Sequence, residues 1–154
     1  MLKIKPFRQT PGLCGPASLK MVLDYYGVSV SEAEIAKLSG ASKEKGVSAE
    51  GLIRVAKGLG FRVFSKKNGN FGDIETFVRK KIPVIVDWFL EDEGHYSVVV
   101  DIDKKNIVLM DPSLKGKRKL SRDSFLRTWF DFPGKFLRKK EDLILRMMLV
   151  VIPR

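Results

Sequence analysis

The chain contains one cysteine and one histidine, and both lie where a reactive side chain would be useful. Cys14 is at the start of a predicted helix, whose free N–H groups and positive dipole end stabilise a thiolate. His95 opens a predicted strand, and Asp111 closes the next strand along the chain. A thiol, an imidazole that transfers protons and a carboxylate that orients the imidazole are the parts of a Cys-His-Asp triad. These residue types therefore predict nucleophilic attack on a carbonyl group.

The strands that carry His95 and Asp111 are predicted over residues 95–102 and 106–110. If they form an antiparallel hairpin, the start of the first strand lies beside the end of the second. A register that pairs Asp111 with Ser97 makes Asp111 a diagonal neighbour of His95, within side-chain reach on the same face. A shift of one residue would move Asp111 to the opposite face, and the sequence leaves the register open.

The helix that carries Cys14 is predicted from an apolar stripe that repeats at i, i+3, i+4 and i+7. The residues of this stripe are Leu19, Val22, Leu23 and Tyr26. Pro16 is suited to the first helical position and Gly27 to the end of the helix, which places Cys14 at the N-terminal edge.

Other helices are predicted from their capping residues. Ser31 begins a second helix that ends at Gly40, with Ile35 and Leu38 expected to face inward. Ser48 begins a third helix and Asp73 a fourth. A last helix is predicted over residues 121–130, and its inward side chains are expected to be Phe125, Leu126 and Trp129.

Strands dominate the second half of the chain. They are predicted over residues 61–65, 83–89, 95–102, 106–110 and 143–152. Helices followed by a mostly antiparallel sheet indicate the α+β class. The length of 154 residues and the hydrophobic content of 44% indicate one domain over residues 1–154 with a core of its own.

Composition excludes several kinds of site. A single cysteine allows no internal disulfide, and one cysteine with one histidine cannot form a four-ligand structural zinc site, so no metal or cofactor is expected. The net charge of +11 includes basic runs at residues 115–119 and 138–140. No nucleic-acid-binding motif accompanies these runs, so we interpret them as a solvated basic face and expect no nucleic-acid partner.

No secretory or membrane-spanning segment is predicted. The charged N-terminus is not followed by an apolar run, so we expect the mature chain to begin there. The most apolar segment, residues 143–152, is interrupted by Arg146 and is too short to cross a bilayer as a helix. We therefore expect a cytoplasmic protein.

Several short motifs together resemble the bacteriocin-processing family of papain-like cysteine peptidases, which cleave double-glycine leader peptides. They are Gln9, Cys14-Gly15-Pro16-Ala17-Ser18, Tyr25-Tyr26-Gly27, Gly94-His95-Tyr96, Asp111-Pro112 and the segment 124–129. The resemblance spans roughly residues 4–129 and implies a papain-like fold, with N-terminal helices packed on the sheet. It also implies that Cys14 is the nucleophile, His95 the base, Asp111 the orienting residue and Gln9 a donor in the oxyanion hole.

The predicted function is thus cysteine-type hydrolysis of a peptide or protein substrate, and two alternatives stay open. In the first, the same site hydrolyses or transfers a non-peptide amide. In the second, the chain is a catalytically silent papain-like module that binds a peptide or a polyanion.

Overall fold

Five α-helices, one short 3₁₀ helix (Lys140–Asp142) and eight strands make up the structure, a computed structural model that describes residues 1–154. The helices are α1 (Cys14–Tyr25), α2 (Glu32–Ser39), α3 (Ala49–Gly58), α4 (Phe71–Arg79) and α5 (Arg122–Thr128). The strands are β1 (Arg62–Lys66), β2 (Val84–Leu90), β3 (Glu93–Ile102), β4 (Asn106–Asp111), β5 (Gly116–Ser121), β6 (Phe130–Asp131), β7 (Ile144–Leu145) and β8 (Met147–Ile152). None of the helices has the length and apolar composition that crossing a membrane would require.

Serine side chains begin α2 and α3, as predicted. Ser31 accepts a hydrogen bond from the backbone N–H of Glu34, and Ser48 accepts one from that of Gly51. Each bond satisfies a donor that the first helical turn would otherwise leave unpaired. Gly40 ends α2 with a left-handed φ of 76°, a conformation that glycine adopts without steric cost. The predicted starts of both helices and the predicted end of α2 are confirmed.

The predicted start of α4 is wrong. Asn70 is the N-cap, and its side chain accepts a hydrogen bond from the backbone N–H of Asp73. The Asp73 carboxylate in turn accepts one from the backbone N–H of Asn70, which completes a reciprocal capping box. Asp73 therefore belongs to the first turn of the helix and does not precede it.

Two leucines that were expected to face inward lie on the surface. Leu38 is 47% exposed, because α2 packs through Ile35 and Ser39, which are one helical turn apart. Leu126 is 37% exposed, since α5 directs its neighbour Phe125 into the core. Both helices are short, and each buries a stripe too narrow to include the adjacent leucine.

Six strands form one antiparallel sheet in the order β1-β8-β2-β3-β4-β5. β6 and β7 form a separate two-stranded pair. The single late strand predicted over residues 143–152 is divided into β7 and β8, because Arg146 between them adopts a left-handed φ of 50°.

The two faces of the sheet pack against different helices. α1, α2 and α3 cover one face, where Leu19 and Leu52 share a core with Val98. α4 and α5 cover the other face, where Phe125 shares a core with Leu109. Helices thus pack on both sides of a sheet that is antiparallel throughout, which confirms the predicted α+β class.

β3 contains a β-bulge at Val100. On the turn side of the bulge, Asp101 lies opposite Val108. On the other side, Val99 lies opposite Leu109. The extra residue in β3 therefore shifts its pairing with β4 by one position.

This shift decides which face of the sheet Asp111 occupies. Without the bulge, the pairing near the turn would continue until Asp111 lay opposite Val98, on the face away from His95. With the bulge, the register extends to a pairing of Asp111 with Ser97. His95 and Asp111 consequently share a face, in the register that the sequence left open.

Candidate active site

α1 begins at Cys14, two residues before its predicted start at Pro16. No acidic side chain lies in the first turn of α1, so no charge on this turn opposes the positive end of the helix dipole at the sulfur. Cys14 Sγ also accepts a hydrogen bond from the backbone N–H of Tyr96, at 3.4 Å. The helix N-terminus and this donor both stabilise negative charge on the sulfur.

His95 and Asp111 form a direct and buried pair. The distance from His95 Nε2 to Asp111 Oδ1 is 2.7 Å, and the two residues are 4% and 0% exposed. Since Nε2 is bonded to Asp111, Nδ1 is the ring nitrogen that remains for the neighbouring Cys14. The structure therefore brings Cys14, His95 and Asp111 together.

These contacts determine the charges of the pair. Burial lowers the pKa of His95, but hydrogen bonds to Asp111 and Cys14, together with their charges, outweigh it and raise the pKa to about 9. Burial raises the pKa of Asp111, yet the hydrogen bond and charge of His95 hold that pKa well below its usual range. At neutral pH the pair is thus an imidazolium facing a carboxylate.

Two further residues hold the Asp111 carboxylate. Ser113 donates to Oδ1 from its backbone N–H at 2.9 Å and from its hydroxyl at 2.7 Å. Arg118 Nε donates to Oδ2 at 2.8 Å. Sequence interpretation missed Arg118, because it counted residues 115–119 as a solvated basic run. Residues 116–121 form instead strand β5, whose alternate side chains face inward, and the inward position of Arg118 beside the Asp111 carboxylate follows from that alternation.

Gln9 is held near this pair by its backbone. Its N–H donates to the carbonyl of Pro112, the residue after Asp111, at 2.9 Å. Its side-chain Nε2 makes only a long hydrogen bond, 3.4 Å, to the carbonyl of Thr10, and its Oε1 is buried without a partner. Thr10 is fixed in turn, because its N–H and hydroxyl both donate to the Glu32 carboxylate. The backbone of Gln9 is thus fixed by a hydrogen bond, whereas its side-chain amide is only weakly bonded.

Sequence interpretation missed a pair of carboxyl groups, Asp87 and Asp131, of which Asp87 lies near Cys14. Asp87 is 3% exposed, lies opposite Tyr96 in the sheet, and has an Oδ1 atom with no donor in reach. Burial and a hydrogen bond with Asp131 raise the pKa of Asp87 well above its usual range. Gly94 allows this approach, since a side chain there would collide with the Asp131 carboxyl. The sequence signal for Asp87 was a lone aspartate inside the apolar run 83–89.

Replacing Asp87 with asparagine should raise the free energy of unfolding by about 1 kcal/mol near neutral pH. The native state keeps a proton on Asp87 that the unfolded state releases, so wild-type stability falls as pH rises above the ordinary carboxyl value of 3.8. Asparagine is neutral at every pH and can donate to Asp131. Urea denaturation should show this increase in the free energy of unfolding at neutral pH and no increase below about pH 4.

The exposed Asp92, in the turn between β2 and β3, provides the matched control for this substitution. Asp92→Asn should leave stability unchanged at both pH values, because its carboxyl group is solvated in the native and unfolded states. A loss of stability at neutral pH in Asp87→Asn would show that Asp87 is not protonated in the native state.

Known protein sequences include relatives that match most of this chain. The model of the family described as Peptidase C39 matches residues 8–132. An uncharacterized protein of Methanothermobacter marburgensis is 38% identical over 119 residues, which are 77% of this chain and 78% of that protein. The lactococcin transport/processing ATP-binding protein LcnC-like of Lactococcus lactis subsp. lactis is 33% identical over 120 residues, which are 75% of this chain but 16% of that relative.

Solved structures share the fold over almost the whole chain. The peptidase domain of Streptococcus ComA, a bifunctional ABC transporter involved in quorum sensing, superposes with a TM-score of 0.76 at 25% identity, covering 98% of this chain and 99% of that domain. A double-glycine-motif protease from an AMS/PCAT transporter, solved in complex with the leader peptide, superposes with a TM-score of 0.72 at 22% identity, covering 99% and 93%. The predicted arrangement of helices packed on a mostly antiparallel, papain-like sheet is confirmed.

Proposed function

Because the chain belongs to the peptidase C39 family, we propose that it is a cysteine peptidase in which Cys14 attacks the carbonyl carbon of a peptide bond. The observation that supports this most directly is the 2.7 Å hydrogen bond between His95 and Asp111. It holds the imidazole with its other nitrogen available to the Cys14 sulfur. Nucleophile, base and orienting carboxylate thus each have the neighbour that the role requires.

In the acylation step, the Cys14 thiolate forms a C–S bond to the scissile carbonyl carbon, and the carbonyl oxygen becomes an oxyanion. We assign the backbone N–H of Cys14, which has no partner within its helix, and the Gln9 amide as the oxyanion donors. The long bond from Gln9 to Thr10 costs little to exchange for a charged acceptor. The His95 imidazolium then gives its proton to the leaving amine as the C–N bond breaks.

In the deacylation step, the neutral His95 imidazole removes a proton from water as the water oxygen attacks the thioester. The C–S bond breaks, the acid product leaves, and Cys14 returns to the thiolate. His95 retains the proton and is again an imidazolium, which the Asp111 carboxylate stabilises and orients throughout.

The substrate class that we propose is a peptide, and within that class a leader peptide. A structural neighbour was solved in complex with a leader peptide, and a sequence relative is named as a lactococcin transport/processing protein. We further propose that residues 1–154 act as one peptidase domain, because a single sheet connects both cores.

Peptide cleavage measured by mass spectrometry, together with iodoacetamide labelling, tests this function. A synthetic peptide with a double-glycine leader and a short cargo segment should be cut at one bond, and prior alkylation of Cys14 should prevent the cut. Ammonia release from small amides without peptide cleavage would favour the amidase alternative. Alkylation no faster than that of the unfolded chain, without cleavage of any substrate, would favour the silent binding module.

The pH profile of kcat/KM should fall on its alkaline side near pH 9. The leaving amine needs the proton of the His95 imidazolium, whose pKa is raised to about 9, so activity is retained below this value and lost above it. Initial rates at low substrate concentration across this pH range provide the check. A fall centred on the ordinary histidine value of 6.5 would contradict the imidazolium assignment.

A further inference from the structure

The loop that joins β6 to β7 takes no part in the proposed chemistry. It spans residues 132–143, and residues 133–141 are exposed without a break. The match to the peptidase family ends at residue 132, where the loop begins. A long exposed loop outside the shared catalytic region is a common location for a separate function.

Two adjacent apolar side chains occupy the centre of this loop. Phe136 is 72% exposed, the highest value among the exposed large hydrophobic residues, and Leu137 is 45% exposed. A single exposed hydrophobic residue is ordinary on a protein surface. Two adjacent exposed hydrophobic side chains would be stabilised by burial against any apolar partner that covered them.

Four cations flank the apolar pair on both sides. They are Lys135, Arg138, Lys139 and Lys140. All four are exposed, and none forms an ion pair within the protein, although Glu141 and Asp142 follow in sequence. Their charges are therefore available to an external anionic partner.

The base of the loop packs against β2. The rings of Phe130 and Phe132 each stack on Phe89, with centroids 5.2 Å apart in both cases. Between them, Asp131 lies against Gly94, the residue that precedes the candidate catalytic histidine. The loop thus begins at this aromatic cluster, beside the candidate active site.

We propose that this loop docks the protein on an anionic lipid bilayer. Phe136 and Leu137 enter the boundary between headgroups and acyl chains, while the four cations bind lipid phosphates. A nucleic acid would use the cations but would offer Leu137 no comparable apolar surrounding. The net charge of +11 adds long-range attraction to the same surface. The proposal stands independently of peptidase activity.

Vesicle co-sedimentation of the full chain tests the proposal. The protein should bind vesicles that contain phosphatidylglycerol, and binding to phosphatidylcholine alone should be much weaker. The double variant Phe136→Ser/Leu137→Ser should lower the partition coefficient roughly 30-fold. The double variant Lys139→Ser/Lys140→Ser should lower it roughly 20-fold. A Phe136→Trp variant should show a blue shift of its fluorescence when anionic vesicles are added.

Matched controls separate insertion from general attraction. Lys104→Ser/Lys105→Ser removes the same charge from an exposed turn elsewhere, and Leu114→Ser removes another exposed leucine. Both should bind vesicles almost as the wild type does. Equal losses in the loop variants and these controls would overturn the proposal, as would absence of vesicle binding. Tighter loop-dependent binding to an oligonucleotide or to polyglutamate would assign the loop to a polyanion instead.

Discussion

Replacing Cys14 with alanine is expected to lower kcat/KM for peptide hydrolysis by a factor on the order of 10⁴ or more. The chain has no other cysteine, so no second thiol can take over the attack. The fold should survive, because the side chain is only partly buried at the first residue of α1. Product formation followed by mass spectrometry over long incubations provides the measurement.

The matched variant Cys14→Ser retains a nucleophilic atom of similar size but lacks an easily ionised thiol. It should also lose most activity, since a hydroxyl group is not deprotonated by the helix N-terminus. Both variants should unfold at urea concentrations close to the wild-type midpoint. Activity within about tenfold of the wild type in either variant would rule out the thiolate mechanism.

Asp111→Asn is expected to lower kcat/KM by about 10²–10³-fold. The fully buried carboxylate keeps the His95 imidazolium oriented and charged, and an amide cannot replace that charge. The pKa of His95 should fall, so the alkaline side of the activity profile should move below pH 9. Stability should fall by about 2 kcal/mol, because Arg118 loses its counter-charge.

Asp103→Asn is the control for this substitution. Asp103 lies in the turn of the same hairpin, where it accepts hydrogen bonds from the backbone N–H groups of Lys105 and Asn106. Asparagine retains an acceptor oxygen for both bonds, so activity and its pH profile should not change. If kcat/KM falls at the same alkaline pH in Asp111→Asn as in Asp103→Asn, Asp111 does not act through His95.

Local signals in the sequence were enough to predict most elements of the fold. Ser31 and Ser48 are capping residues whose effect depends on the next three residues alone, and both helices begin where predicted. Asp73 was misplaced because two polar residues, at both ends of a capping box, compete for the N-cap position. Strand β5 was missed because three of its six residues, Lys117, Arg118 and Lys119, are charged, and pairing with β4 holds it in the sheet.

The candidate site was predictable in its members but not in its geometry. Cys14, His95 and Asp111 could be proposed from residue type and order, whereas their proximity depends on the bulge at Val100. No turn residue marks that bulge, since it lies in an uninterrupted run of valines. Asp87 was overlooked for a related reason, because its partner Asp131 is distant in sequence and only the folded chain brings the two together.

The position of β8 has a consequence for the synthesis of the protein. This strand lies between β1 and β2 although it is translated after every other strand. Its residues alternate between the two cores, with Met148 and Val150 in one and Leu149 and Val151 in the other. A nascent chain therefore contains Cys14 long before the sheet can close around β8. Translation itself imposes a delay between the synthesis of the candidate nucleophile and the completion of the sheet that holds its proposed partners.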